Sequence, residues 1–240
     1  MRALVLPLLL TGLWAAPAVA QNDHHQHHLH HQHPSSPTPG EAAGAGIGGH
    51  GDHAGHNHDV GPAGATYDLR WLDAMVQHHT GALRMSEFVL NIGSPGVGAL
   101  ANSIWSEQAR EIKAMGQWRK AWYPEAPVYP VALRPAGDPN TMAGLERMSE
   151  AQIEAMRMMG TTPTRDNRVV WFLEGMLAHH GGALQMAHDA LKKSTNTTVH
   201  RLAQQIIVAQ RAEIIALRRM LQREGLSNPE YSRYDVLFHF

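Results

Sequence analysis

The chain has no cysteine. That excludes disulfide cross-links, iron–sulfur clusters and any thiolate metal site or nucleophile. Charge is scarce too. Lys and Arg number 20 and Asp and Glu 21 among 240 residues, giving a formal net charge of -1 with His neutral. This balance argues against a constitutively basic nucleic-acid footprint. No apolar run after the first twenty residues is long enough for a bilayer span. What the chain has instead is imidazole and thioether, with 18 His and 12 Met. Eleven of the His fall between His24 and His58, and every Met except Met1 lies from Met75 onward. The two ligand types occupy largely different parts of the chain.

The first twenty residues read as a secretory signal. Arg2 supplies the positive end, Ala3 to Leu13 is nearly all apolar, and Ala18-Val19-Ala20 is an A-x-A cleavage pattern. The expected product is soluble and periplasmic or secreted, with cleavage near Ala20. No Cys follows the apolar run, so a lipid-anchored lipoprotein is excluded. Residues 21–66 are low in complexity and lack a periodic apolar face, which predicts a disordered tail. It carries His24, His25, His27, His28, His30, His31 and His33, then His50, His53, His56 and His58. Such a tract suits capture of Cu(II), zinc or nickel at high local density. It would also titrate as a pH-responsive segment near the ordinary His pKa of ~6.5.

From Tyr67 the pattern turns helical, with stretches expected at about 67–91, 98–122, 149–159, 165–193 and 197–224. Gly93-Ser94-Pro95-Gly96 separates the first two, and Pro124, Pro127, Pro130, Pro135 and Pro139 fill a long link. No stretch shows sustained strand alternation, so the ordered part is all-α. An internal repeat gives the architecture. Asp73, Met75, His78-His79, Gly81-Ala82-Leu83 and Met85 recur as Glu174, Met176, His179-His180, Gly182-Ala183-Leu184 and Met186, offset by 101 residues. Ala101, Ile104, Gln108, Glu111 and Ile112 recur as Ala203, Ile206, Gln210, Glu213 and Ile214, offset by 102. The extra residue is expected in the second inter-helix loop. Two αα-hairpins, 67–123 and 164–225, joined by a crossover link at 124–163 and followed by a tail at 226–240, predict a ferritin-like four-helix bundle over 67–225.

Residues three and four apart share a helix face. Met75, His78, His79 and Met85 therefore form one stripe, and Met176, His179, His180 and Met186 form its repeat. Glu111 and Glu213 sit on the partner helices, with Met115 one turn beyond Glu111. Thioether is soft and selects Cu(I), while imidazole suits several metals. A Met/His set without Cys favours copper, as Cu(I), Cu(II) or both. The di-iron arrangement of ferritin-like proteins needs Glu-x-x-His on two helices, and that motif occurs nowhere in the chain. Against a ligand role, Met at helical spacing also fills cores. Each His-His doublet points two ways about 100° apart, so one His of a pair can bind while the other packs. Met142 and Met148, before a short helix with Ser149 as expected N-cap, are further candidates.

The doubled Met-x-x-His-His-x-x-Ala-x-x-Met motif, the Gln-x-x-Glu-Ile helices and the Gly-Leu-x-x-Met-Ser-x-x-Gln stretch resemble the domain-of-unknown-function 305 family over about residues 67–224. The resemblance implies a secreted bacterial four-helix protein of ferritin-like fold, with some members binding periplasmic copper in copper resistance. Carried over, it makes Met75, His78, His79, Met85, Met176, His179, His180 and Met186 copper-ligand candidates. One departure is Gly144-Leu145-Glu146, where family linkers often carry Gly-Met-Met.

The leading expectation is a non-enzymatic copper-sequestering or buffering protein of the cell envelope. Its partners would be metal ions and copper-handling envelope proteins, with no nucleic acid and no membrane span. The alternatives are a ferritin-like metallo-oxidase acting on Cu(I) or Fe(II), and a structural bundle whose His only pack.

Overall fold

The computed structural model describes residues 58–93 and 96–239, all within the compact unit Gly46–Phe240. The signal segment 1–20 and His24, His25, His27, His28, His30, His31, His33, His50, His53 and His56 lie outside the described residues.

The fold is mostly helical. Four long helices are α1 (Tyr67–Glu87), α2 (Val97–Trp122), α4 (Arg168–Lys193) and α5 (Thr197–Arg223), with a short α3 (Glu150–Arg157) between the pairs. α1 packs on α2 and α4 on α5; the two hairpins meet chiefly through α1 and α4. Among the described residues, no helix is long and apolar enough to cross a membrane.

Local chemistry explains the boundaries. Asp68 in the first turn of α1 and Arg84 in its last oppose the helix dipole favourably. The Asn196 side chain caps α5 by accepting from the Thr198 amide at 2.9 Å. Ser149 caps α3 as expected, in a full capping box with Gln152. α3 then ends at Met158, which turns left-handed at φ 49.

Two features depart from the sequence reading. The link contains a small antiparallel ribbon, β1 (Val131–Leu133) on β2 (Leu145–Arg147), with Ala132 opposite Glu146. Three-residue strands are too short to register as alternation. Val131 and Leu145 bury against Leu69 of α1 in a minor core of their own. The second departure concerns the extra residue of the repeat. It does not lengthen the second loop, which spans only 194–196 against 88–96 in the first hairpin. Instead α4 runs on to Lys193, whereas the position in α4 equivalent to the end of α1 is His188.

Polar ties fix the link and the C-terminal segment to the helices. Asp73 accepts from Arg119 Nε at 2.5 Å and Nη2 at 3.1 Å, and from the Val131 amide at 2.9 Å. Its repeat partner Glu174 accepts from Tyr231 Oη at 2.5 Å. The acid that recurs in the repeat thus anchors a different strap in each hairpin. Residues 226–239 return along α4, where the Tyr234 ring lies flush on the Cα of Gly181. A side chain at Gly181 would occupy that ring's place.

Candidate metal centre

The two doublets split in the same way. A step of about 100° per residue sends neighbours to different faces. His78 and His179 point into the α1/α4 contact, where their rings lie 3.8 Å apart between centroids. His79 and His180 point back to their own hairpin partners. His79 Nε2 lies 2.6 Å from Glu111 Oε2. His180 Nε2 lies 2.8 Å from Glu213 Oε2, off the line of a straight hydrogen bond. All four imidazoles are fully buried.

The hydrogen-bond inventory of these rings is incomplete. His79 Nδ1, His179 Nδ1 and His180 Nδ1 have no partner, and neither ring nitrogen of His78 has one. His179 Nε2 donates to the His78 carbonyl at 3.0 Å, which leaves its Nδ1 as the lone-pair nitrogen. An unpaired buried polar group costs about 1–3 kcal/mol. Burial, reinforced by the neighbouring histidines, holds His78 and His179 well below the usual imidazole pKa. They are neutral at physiological pH, the form in which imidazole binds a metal. The His79–Glu111 and His180–Glu213 contacts have the carboxylate–histidine form that orients metal-binding imidazoles.

His58 joins this cluster. The sequence reading placed it in a loose tail ending at residue 66, yet His58 is only 7% exposed and its ring stands edge-on to His78 at 5.4 Å. A Cβ built on Gly182 would lie 2.6 Å from His58 Nε2 and 3.1 Å from His78 Nε2. Two imidazole nitrogens therefore converge over a residue without a side chain. The segment after His58 is clamped from both hairpins. Arg70, fully buried on α1, donates to the Val60 carbonyl and to the Pro62 carbonyl at 2.7 Å. Lys193 of α4 donates to Asp59 Oδ1 at 2.8 Å and to the Gly61 carbonyl at 3.0 Å.

The thioethers are placed differently. Met75, Met85, Met115, Met148, Met176 and Met186 are all buried members of the main hydrophobic core. Met142 is 40% exposed, on the link. Burying a Met side chain in such a core contributes about 1.5–3 kcal/mol whether or not it meets an ion. Among the described residues, no group of three or more His, Asp or Glu side chains is placed to hold a metal ion without rearrangement.

The sequence reading missed His58 as a core residue, and missed Arg70 and Lys193 as the clamp that holds it. It also missed Glu107, Gln108 and Gln210, which line a cleft between α2 and α5. The repeat carried a signal for the two glutamines, since both belong to the duplicated Gln-x-x-Glu-Ile pattern. For Arg70 the only hint was a cation three residues before Asp73 in a largely apolar segment.

Comparison with known proteins agrees on the family. The model described as "Domain of unknown function (DUF305)" matches residues 68–222. No curated protein matches the chain. Among solved structures, CopM in the Cu(I)-bound form is 25% identical, covering 65% of this chain and 96% of CopM, with a TM-score of 0.47. CopM in the Cu(II)-bound form is 25% identical, covering 65% and 97%, with a TM-score of 0.45. A DUF305 fragment from Deinococcus radiodurans is 28% identical, covering 68% and 99%, with a TM-score of 0.45.

Proposed function

The chain belongs to the DUF305 family, and from that premise we propose that it is an exported, non-enzymatic protein that binds and sequesters copper. The architecture in this reading is a ferritin-like four-helix bundle of two duplicated hairpins, held in the periplasm or outside the cell. The observation that carries it is His78: fully buried, held neutral, with both ring nitrogens unpartnered beside His179 and His58. A purely structural histidine in a core has its nitrogens hydrogen-bonded. A buried imidazole cluster with lone pairs to spare is instead suited to a soft or borderline cation.

His58, His78 and His179 would form the centre of the site. Glu111 and Glu213 would set the orientation of His79 and His180, whose Nδ1 atoms are uncommitted. Met75, Met85, Met176 and Met186 supply the surrounding soft, apolar environment, which favours Cu(I) over zinc. Copper is cargo here, and the histidine tail is its capture device.

The test is anaerobic competition of the purified full chain against a chromophoric Cu(I) chelator. The His78→Ala/His179→Ala double variant should lose the tightest Cu(I) equivalent and keep weaker tail binding. His58→Ala, outside the helices, should weaken the same equivalent by about tenfold, or about 1.4 kcal/mol. Retention of all tight Cu(I) binding by both variants, with helical circular dichroism intact, defeats the assignment.

A further inference from the structure

Next to the His79–Glu111 and His180–Glu213 pairs lies a second cluster that the imidazole site does not explain. α2 and α5 face one another across a narrow cleft lined by Glu107, Gln108 and Glu111 on one side and Gln210 and Glu213 on the other. Gln108 and Gln210 are each only 2% exposed. Neither amide atom of Gln108 has a hydrogen-bond partner, nor does Oε1 of Gln210. They stand at equivalent positions of the repeat, so the anomaly occurs twice. Buried amide atoms without partners cost stability that a Leu or Met at the same positions would not.

The surrounding charge has one sign. Glu111 and Glu213 each turn Oε2 toward a histidine, leaving the other oxygen outside that contact. Glu107 is half-buried, and burial together with the Glu213 and Glu111 charges pushes its carboxyl up to about 7. A cation bound in the cleft would relieve that crowding.

We propose that the α2/α5 seam is a second metal site, of the hard-cation class, taking Ca²⁺ through the carboxylates of Glu107, Glu111 and Glu213 and the amide oxygens of Gln108 and Gln210. The donors are all oxygen, which excludes a preference for Cu(I). Neutral amide carbonyls beside carboxylates are ordinary Ca²⁺ ligands. Ca²⁺ also tolerates irregular six- to eight-fold geometry, whereas Mg²⁺ demands a near-ideal octahedron. Long Glu side chains on two facing helices reach such an ion by rotamer changes, without moving the backbone. The site shares Glu111 and Glu213 with the histidine pairs, yet its occupancy does not depend on copper.

The experiment is calorimetric titration of the metal-stripped full chain with CaCl₂, above the Glu107 pKa and without copper. One Ca²⁺ per chain is expected, raising the melting temperature. Glu107→Gln and, separately, Gln210→Leu should each weaken binding by about tenfold or more. His78→Ala/His179→Ala should bind Ca²⁺ as the parent does, so failure of the copper reading and failure of this one are separable. Absence of Ca²⁺ binding at millimolar concentration overturns the proposal. Parent-like affinity in both seam variants, folded by circular dichroism, overturns it too.

Discussion

Gly81 and Gly182 occupy the same position of the repeat, and the structure gives them different neighbours. A Cβ on Gly81 would lie 2.8 Å from the Arg157 carbonyl carbon and 2.9 Å from its Cα, and closer still to the carbonyl oxygen. These are backbone atoms of the last turn of α3. Non-bonded heavy atoms rest about 3.5–4.0 Å apart, so Gly81→Ala must push α3 off α1. Overpacking of this kind costs about 1–3 kcal/mol, and the upper end applies because backbone cannot rotate away. The gain in helix propensity offsets about 1 kcal/mol of it. The net is about 2 kcal/mol, or a fall of about 4–8 °C in melting temperature for a chain of this size.

Gly182→Ala meets only side chains: His58 Nε2 at 2.6 Å, His58 Cδ2 at 3.1 Å and His78 Nε2 at 3.1 Å. His58 sits on a non-helical segment and can lift away. The net stability change is then about 0–1 kcal/mol, because the propensity gain nearly cancels the clash. The cost appears in the metal site, where Cu(I) affinity should drop by about tenfold as the two nitrogens separate. Urea denaturation of both variants, with chelator competition for Gly182→Ala, reads out both quantities. Equal destabilisation of the two variants, or unchanged Cu(I) affinity in Gly182→Ala, would refute the reasoning.

Glu107→Gln should make stability less dependent on pH. The carboxyl titrates from the unfolded value of 4.5 to about 7 in the folded chain. Between these the folded state holds a proton that the unfolded state has released, so stability declines as pH rises through that window. Removing the charge should stabilise the calcium-free chain by about 1–2 kcal/mol above the window, after discounting for partial exposure, and by almost nothing below it. Thermal melts across pH check this, and a constant difference at all pH values contradicts it. Asp73→Ala leaves Arg119 Nε and the Val131 amide without an acceptor, though Arg119 Nη2 keeps the Pro127 and Tyr129 carbonyls. It should destabilise by about 3–5 kcal/mol and loosen the link first, visible as early amide exchange at residues 131–133. Uniform exchange, with no early loss there, would count against that role.

Much was legible from residues alone. Period-3.6 patterning placed the five helices to within a few residues, Ser149 announced its capping box, and self-similarity revealed the paired hairpins. These features depend on neighbours in sequence, where spacing dictates which residues share a face. The same spacing showed that each His-His doublet diverges, though not which member faces which neighbour. That depended on the packing of α1 on α4, which turns His78 and His179 toward each other and leaves His79 and His180 to Glu111 and Glu213.

Three-dimensional contacts decided the rest. His58 looks like any other histidine of its tract. It is singled out because Arg70 and Lys193, on different hairpins, grip the segment beside it. Gln108 and Gln210 are ordinary helix residues until α2 and α5 bury them along one cleft with amide atoms left unpaired. Gly81 and Gly182 are interchangeable in the repeat but not in the fold, since one receives a backbone carbonyl and the other two imidazoles. The sequence by itself determined the helices, the duplication and the stock of imidazole, thioether and carboxylate. The tertiary structure decided which of these groups meet, because contacts between distant segments follow from the closure of the whole core and not from local spacing.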